Sequence, residues 1–352
     1  MLETTIDLET ALHKRRSGTL FVDVRTPAEF AEASIPGAVN IPIFSNDERI
    51  EVGTLYKQQG KIRARRRAVE IVAPRIPAII AQTDKALGKD TSPAVIFCWR
   101  GGLRSQAITS FLNLAGIPAR QLEQGHKGFR RRVCSDFEAG NWPPVFVLRG
   151  LTGIGKTRIL EKLQQQGYPV IDLEGLANHR GSAFGSLGLD RQPSQKQFEA
   201  RLWDCLDQLK DSPYLLVEGE SRHIGRLTIP VNFHRAMQQQ TSLWLTTPLE
   251  HRIRIILADY PDLAGHAADI ERALLAIKER LGGKTVARYL QLLKAQDWET
   301  LIAELMTTYY DPLYLHTCPE QRMEICYHTL DQATEQVAAA VDQLAAGHKS
   351  CL

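Results

Sequence analysis

Residues 145–157 constrain the fold more than any other stretch. The apolar run Val145-Phe146-Val147-Leu148 leads into Gly150-Leu151-Thr152-Gly153-Ile154-Gly155-Lys156-Thr157, and residues 158–166 then carry a helical pattern that stops at Gly167. Strand, glycine-rich loop and helix in this order fit Gly-x-x-x-x-Gly-Lys-Ser/Thr. Glycines let the backbone curl until several N–H groups face one anion, at a helix N-terminus whose dipole favours negative charge. On this reading Gly150, Gly153 and Gly155 shape a diphosphate cradle, Lys156 neutralises the terminal phosphate, and Thr157 is placed to hold Mg²⁺. Such a loop needs a parallel strand behind it, so the chain is expected to be an α/β protein.

The chain has 352 residues, 43% hydrophobic and 24% charged. That is the balance of a globular protein of about two domains, and it excludes a collagen-like or disordered chain. No apolar run approaches the roughly 18 residues of a membrane span. The opening Met1-Leu2-Glu3-Thr4-Thr5 has neither a basic n-region nor an apolar h-region, so no signal peptide and a cytoplasmic location are expected. The Pro pair in Ala139-Gly140-Asn141-Trp142-Pro143-Pro144 breaks regular structure ahead of the 145–148 run. Residues 139–144 are therefore read as a linker between a domain 1–138 and a domain 145–352. Strands are predicted at 20–24 and 94–97 in the first domain, and at 145–148, 170–173, 214–217 and 242–245 in the second. Helices are predicted over 105–114, from Ser194 through Leu209, and over 329–346. Both domains thus read as α/β folds with mainly parallel sheets.

A second motif follows the strand at 94–97. Cys98-Trp99-Arg100-Gly101-Gly102-Leu103-Arg104-Ser105 runs from a strand end into a helix. Gly101, Gly102 and Ser105 would form an anion cradle there, and the loop N–H groups with Arg100 and Arg104 would favour thiolate over thiol at Cys98. The alternative is a core thiol, and that packed, structural role is expected for Cys134, Cys205 and Cys351. The six cysteines are irregularly spaced, which argues against a disulfide framework.

Other polar residues have two readings each. Asp172 closes the strand at 170–173 and could face the phosphate loop. Glu218, in Val217-Glu218-Gly219-Glu220, stands where an ATPase has a strand-end Asp; Glu218 could reach Mg²⁺ through water or cap the turn, with Glu220 beside it. His316, Cys318, Cys326 and His328 lack the tight Cys-x-x-Cys knuckle of a zinc site, so a packed α/β edge is expected and no metal site is assigned. Two basic clusters, Lys61/Arg63/Arg65/Arg66/Arg67 and Lys127/Arg130/Arg131/Arg132, suit a polyanion such as RNA or form solvated helix faces.

Several stretches resemble known families. Asp23-Val24-Arg25, Glu29-Phe30 and Ile35-Pro36-Gly37-Ala38-Val39-Asn40-Ile41-Pro42, with the Cys98 loop, are similar to rhodanese domains over roughly residues 10–138. The loop also fits Cys-x-x-Gly-x-x-Arg-Ser/Thr of cysteine-dependent phosphatases, but Phe97 stands where those commonly have His. Leu243-Trp244-Leu245-Thr246-Thr247-Pro248-Leu249-Glu250-His251-Arg252 is similar to a region of small P-loop kinases. The pairing of a rhodanese-like domain with a P-loop domain resembles the bacterial tRNA 2-selenouridine synthases. The stretches beginning at Asp172, Glu218 and Tyr309 extend that likeness over essentially the whole chain.

That resemblance implies an N-terminal rhodanese-like selenium-transfer domain and a C-terminal P-loop NTPase-like domain that binds a prenyl diphosphate. It implies a transferase acting on the wobble uridine (U34) of tRNAs for Lys, Glu and Gln, converting 2-thiouridine to 2-selenouridine through S-geranyl-2-thiouridine. Geranyl diphosphate and selenophosphate would be co-substrates, with no tightly bound cofactor. Cys98 would carry selenium as a selanyl-cysteine, and Arg63, Arg65, Arg66, Arg67, Arg130, Arg131 and Arg132 would contact tRNA. A selenophosphate-producing enzyme is a candidate partner, and a monomer away from membranes is expected. The competing expectation is a cysteine-dependent phosphatase or P-loop kinase acting on a small phosphorylated substrate.

Overall fold

The computed structural model describes residues 4–316 and 318–349; Cys351 lies outside them. The chain divides into two compact units. One comprises the residues up to Ala139 together with Glu199–Asp204, and the other comprises Gly140–Phe198 and Cys205 onward.

The first unit is built on a five-stranded sheet of β1 (Thr5–Ile6), β2 (Phe21–Asp23), β3 (Val39–Asn40), β4 (Ala94–Phe97) and β5 (Ala119–Leu122). The strand order is β1-β5-β4-β2-β3, every pair parallel. All residues of β2 and β4 are buried, as strands covered on both faces must be. The predicted helix after the Cys98 loop spans Leu103–Leu114, and Gly116 follows it with φ 81°, the left-handed stop that favours glycine.

Asn46–Val72 is helical except at Gly60, whose φ of 85° and ψ of 173° lie outside helical space. The chain folds back there. Arg67 pairs with Glu51 and Arg75 with Glu48, each at 2.6 Å, whereas a straight helix would hold residues 16 apart at about 24 Å. Segments 46–59 and 61–72 therefore form a helical hairpin, which the sequence pattern did not reveal.

The second unit holds β6 (Val145–Gly150), β7 (Val170–Ile171), β8 (Leu215–Glu218), β11 (Ser242–Thr246) and β12 (Arg322–Cys326), ordered β12-β11-β6-β8-β7 and again all parallel. A short antiparallel ribbon, β9 (His223–Ile224) with β10 (Leu227–Thr228), stands apart from this sheet. Ile159, Leu160 and Leu163 of helix Lys156–Gln165 share one core with Ala333, Val337 and Val341 of helix Leu330–Lys349. A separate helical core gathers Ile270, Leu274, Tyr289, Leu293, Leu301 and Leu305. The α/β architecture with parallel sheets expected from the sequence is present in both units. Among the described residues no helix is long and apolar enough to cross a membrane.

Candidate functional site

Each unit places its motif at the carboxyl end of a central parallel strand, where α/β sheets open a crevice for ligands. In the first unit that strand is β4. Cys98 is 3% exposed; its Sγ lies 3.2 Å from Ser105 Oγ and accepts a hydrogen bond from the Gly102 N–H at 3.3 Å. Gln121 Nε2 donates to Ser105 Oγ at 2.9 Å and fixes that hydroxyl from the neighbouring strand. Burial alone would raise the thiol, but the Ser105 and Gly102 hydrogen bonds and the Arg104 charge outweigh it and hold Cys98 below the ordinary thiol range. The loop is shaped by close backbone approach. Gly101 has φ 64°, and a Cβ there would meet Leu122 O at 2.7 Å; a Cβ on Gly125 would meet Cys98 O at 2.2 Å. Gly125 was not singled out from sequence, because its role depends on a contact with residue 98.

The two arginines of the loop differ. Arg104 makes a two-bond pair with Glu29, at 2.7 and 3.2 Å, whereas Arg100 is exposed. Asp23 and Arg25 are buried and paired at 2.6 Å, supporting the strand ends beneath the loop.

In the second unit β6 runs straight into the phosphate loop. Gly153 and Gly155 have φ of 78° and 68°, Gly150 stands at φ 150°, and Gly155 precedes the helix that starts at Lys156. Gly153, Gly155, Lys156 and Thr157 line a cavity of about 180 Å³. Arg252, 5% exposed, forms a two-bond pair with Asp311 (2.8 Å each) and donates to Thr152 O at 3.2 Å, bracing the loop. This arginine of the kinase-like stretch is thus engaged with a carboxylate.

Carboxylates gather beside Lys156. Glu218 Oε1 accepts from the Glu174 N–H at 2.6 Å, while its Oε2 is buried without a hydrogen-bond partner. Thr157 Oγ1 donates to Glu174 at 3.3 Å, and Glu174 and Glu220 are hydrogen-bonded to each other. Burial and neighbouring carboxylates push Glu220 up to about 8 and raise Glu174 and Glu218 as well. Burial works against the Lys156 ammonium, but Tyr314, Glu220 and Glu174 more than offset it and keep its pKa above the ordinary value. Asp172 caps helix Leu173–Ala177 through Gly175 N (2.7 Å) and does not line the cavity.

Arg158, Arg180, Ser182 and Asp259 also line the cavity, and the rest of its wall is apolar. Ile256, Leu263, Trp298, Leu301, Tyr310 and Tyr314 close it, and the Lys156 ammonium sits 5.7 Å from the Tyr314 ring centroid. Sequence reasoning did not assign these residues or Glu174 to the site. The available signal was Tyr309-Tyr310-Asp311-Pro312-Leu313-Tyr314, a dense aromatic run around the Asp311 that holds Arg252.

The basic clusters separate into exposed and engaged members. Arg63, Arg65 and Arg66 are exposed, whereas Arg67 pairs with Glu51 and Glu70. Arg130 pairs with Glu199 at 2.6 Å and is 15% exposed; Arg132 pairs with Glu9 and Asp136, and Arg131 bonds Gln124. Among the described residues no group of three or more His, Cys, Asp and Glu is arranged to hold a metal. Cys326 ends β12, where it and His328 are exposed, as is His316, while Cys318 is half-buried. Cys205 is half-buried, and Cys134, expected to be a packed thiol, is exposed because it lies on the outer side of helix Gly125–Ala139.

Comparison with known proteins assigns both halves. Residues 143–345 match the tRNA 2-selenouridine synthase AAA domain, and residues 7–132 match the rhodanese-like domain. The chain is 33% identical to tRNA 2-selenouridine synthase of Nitrosomonas europaea, covering 90% of this chain and 93% of that one. This chain belongs to the tRNA 2-selenouridine synthase family. Another relative of the same name, from Chromohalobacter salexigens, is 35% identical over 86% of this chain and 89% of its own. A third, from Bdellovibrio bacteriovorus, is 34% identical over 87% and 90%.

Proposed function

We propose that this enzyme converts 2-thiouridine to 2-selenouridine at the wobble position of tRNAs for Lys, Glu and Gln, by way of S-geranyl-2-thiouridine. The observation that carries the reading is the phosphate loop opening directly onto a wall of aliphatic and aromatic side chains. A diphosphate with a hydrocarbon tail fits a phosphate loop that shares one cavity with a mainly aliphatic and aromatic wall. Geranyl diphosphate and selenophosphate serve as co-substrates, and the scheme needs no tightly bound cofactor.

In the first step the sulfur of 2-thiouridine bonds to C1 of the geranyl chain as the C–O bond to diphosphate breaks. Lys156 and the loop N–H groups take up the charge on the departing diphosphate. The N3 proton of the base leaves in the same step, and the Glu174–Glu220 pair receives it, Glu174 being the member that lines the cavity. In the second step water cleaves the P–Se bond of selenophosphate, releasing phosphate. Cys98, in the loop of Arg100 and Arg104, bonds through its thiolate sulfur to C2 of the base as the C2–S bond to the geranyl thioether breaks and geranylthiol leaves. Selenide then bonds to C2 as the C2–S bond to Cys98 breaks, which returns the thiolate and leaves the remaining proton on N3.

The direct test supplies 2-thiouridine tRNA with geranyl diphosphate and then selenophosphate, and reads nucleosides by mass spectrometry. Recovery of unaltered 2-thiouridine after both additions rejects the proposal. A pH dependence follows from the carboxylate pair. Glu220 loses its proton only as pH rises through about 8, so geranylation should climb between pH 7 and 9 while the pair becomes a competent base. Glu220→Gln should abolish that climb; a profile that Glu220→Gln leaves unchanged would remove the pair from the step.

Binding of tRNA should weaken with salt. Reversing exposed Arg65 and Arg66 to Glu should flatten the log–log slope by about 1.4–1.8, for two phosphates at roughly 0.7–0.9 each. Arg67→Glu should change it less, since that guanidinium already has two carboxylate partners. Filter binding across a salt series distinguishes the cases, and an equal change from all three positions would contradict the assignment.

A further inference from the structure

A second apolar concavity lies in the first unit. The 46–59/61–72 hairpin and helix Leu103–Leu114 enclose a groove of about 720 Å³ whose lining includes Tyr56, Ala68, Val69, Leu103, Ala107 and Phe111. Three of these are unusually open for apolar residues: Tyr56 is 51%, Val69 66% and Leu103 55% exposed. Their exposure leaves a contiguous apolar face in water, the mark of a surface that meets a ligand.

Two further observations identify the ligand. The groove adjoins the Cys98 loop: Leu103 and Arg104, where that loop enters helix Leu103–Leu114, line it, and its floor residues Ile43, Phe44 and Val72 share one core with Cys98. Its lining also includes Lys61 and Arg65, so cationic groups border an apolar floor. That combination matches a hydrocarbon chain carried on a polyanion.

We propose that this groove receives the alkyl chain of S-alkylated 2-thiouridine tRNA, fixing the modified base beside Cys98 for selenium exchange. The inference rests on the function proposed above and adds a second prenyl-recognising site, distinct from the cavity at Lys156. The first site would hold the chain while it is attached to diphosphate, and the groove would hold it once it is attached to the base. Lys61 and Arg65 would meet phosphates near the modified nucleotide. The chain then does more than improve a leaving group, because it supplies the contact that selects alkylated tRNA over its precursor.

The test uses the full chain, selenophosphate, and tRNAs carrying preformed S-methyl, S-dimethylallyl or S-geranyl 2-thiouridine. A buried methylene contributes roughly fourfold in affinity, so kcat/KM for selenium exchange should rise about tenfold or more with each five-carbon unit. The exposed-site double variant Tyr56→Ser/Val69→Ser should compress the three substrates to within about twofold. It should leave S-methyl turnover and the geranylation of 2-thiouridine tRNA unchanged. Ala107→Trp, which fills the groove, should do the same by a different route. Chain-length preference that persists in the double variant overturns the proposal. Equal loss on S-methyl and S-geranyl tRNA also overturns it, since the groove would then hold RNA. Absence of exchange on every S-alkyl tRNA in the unmodified enzyme would instead reject the function on which the inference rests.

Discussion

Cys98→Ala should stop selenium incorporation into tRNA completely while S-geranyl-2-thiouridine accumulates. Departure of diphosphate from a prenyl chain needs no thiol, so the first product still forms, and nothing then consumes it. Cys98 is the buried member of the five described cysteines, and its thiolate is favoured by Ser105, the Gly102 N–H and the Arg104 charge. Cys134→Ser and Cys326→Ser should retain selenium incorporation, because both thiols are exposed and neither belongs to the Cys98 loop. Nucleoside mass spectrometry after each co-substrate addition gives the readout. If Cys98→Ala also abolishes geranylation with native circular dichroism, the thiol takes part in both steps and the division of labour is wrong.

Lys156→Ala should produce the opposite pattern. Losing one preorganised positive group at a developing anion typically costs about 100- to 1,000-fold in rate. Geranylation should fall by at least that much, since the Lys156 ammonium is held protonated at the end of the phosphate loop. Supplied with tRNA that is already geranylated, the variant should still make 2-selenouridine. Normal geranylation by Lys156→Ala would show that the loop serves another ligand, and phosphate transfer to a small substrate would become the better reading.

Much of this was legible before the fold was known, for local reasons. The run 145–148, the glycine spacing and the helix after Lys156 are contiguous, so one stretch of sequence contains strand, loop and helix together. The Cys98 loop is contiguous in the same way. Other features depend on distant residues. Two-residue strands such as Thr5–Ile6 and Val39–Asn40 exist only through their pairing with β5 and β2. Gly60 interrupts a helical pattern that continues on both sides, and only the Arg67–Glu51 and Arg75–Glu48 pairs reveal a reversal. Glu174 reaches Thr157 across 17 residues. Trp298 and Leu301 belong to no local motif, and only tertiary packing brings them to the cavity at the phosphate loop.

Residues 199–204 belong with the first unit although they lie 60 positions beyond Ala139. Trp203 donates to Asp136 at 2.7 Å and stacks edge-on against Phe129, and Glu199 holds Arg130. During synthesis the helix Gly125–Ala139 therefore emerges with those partners still untranslated. The amino-terminal half cannot complete its own structure in strict order of synthesis, and a ribosome stalled between codons 140 and 198 would present it unfinished, with Phe129 uncovered by Trp203.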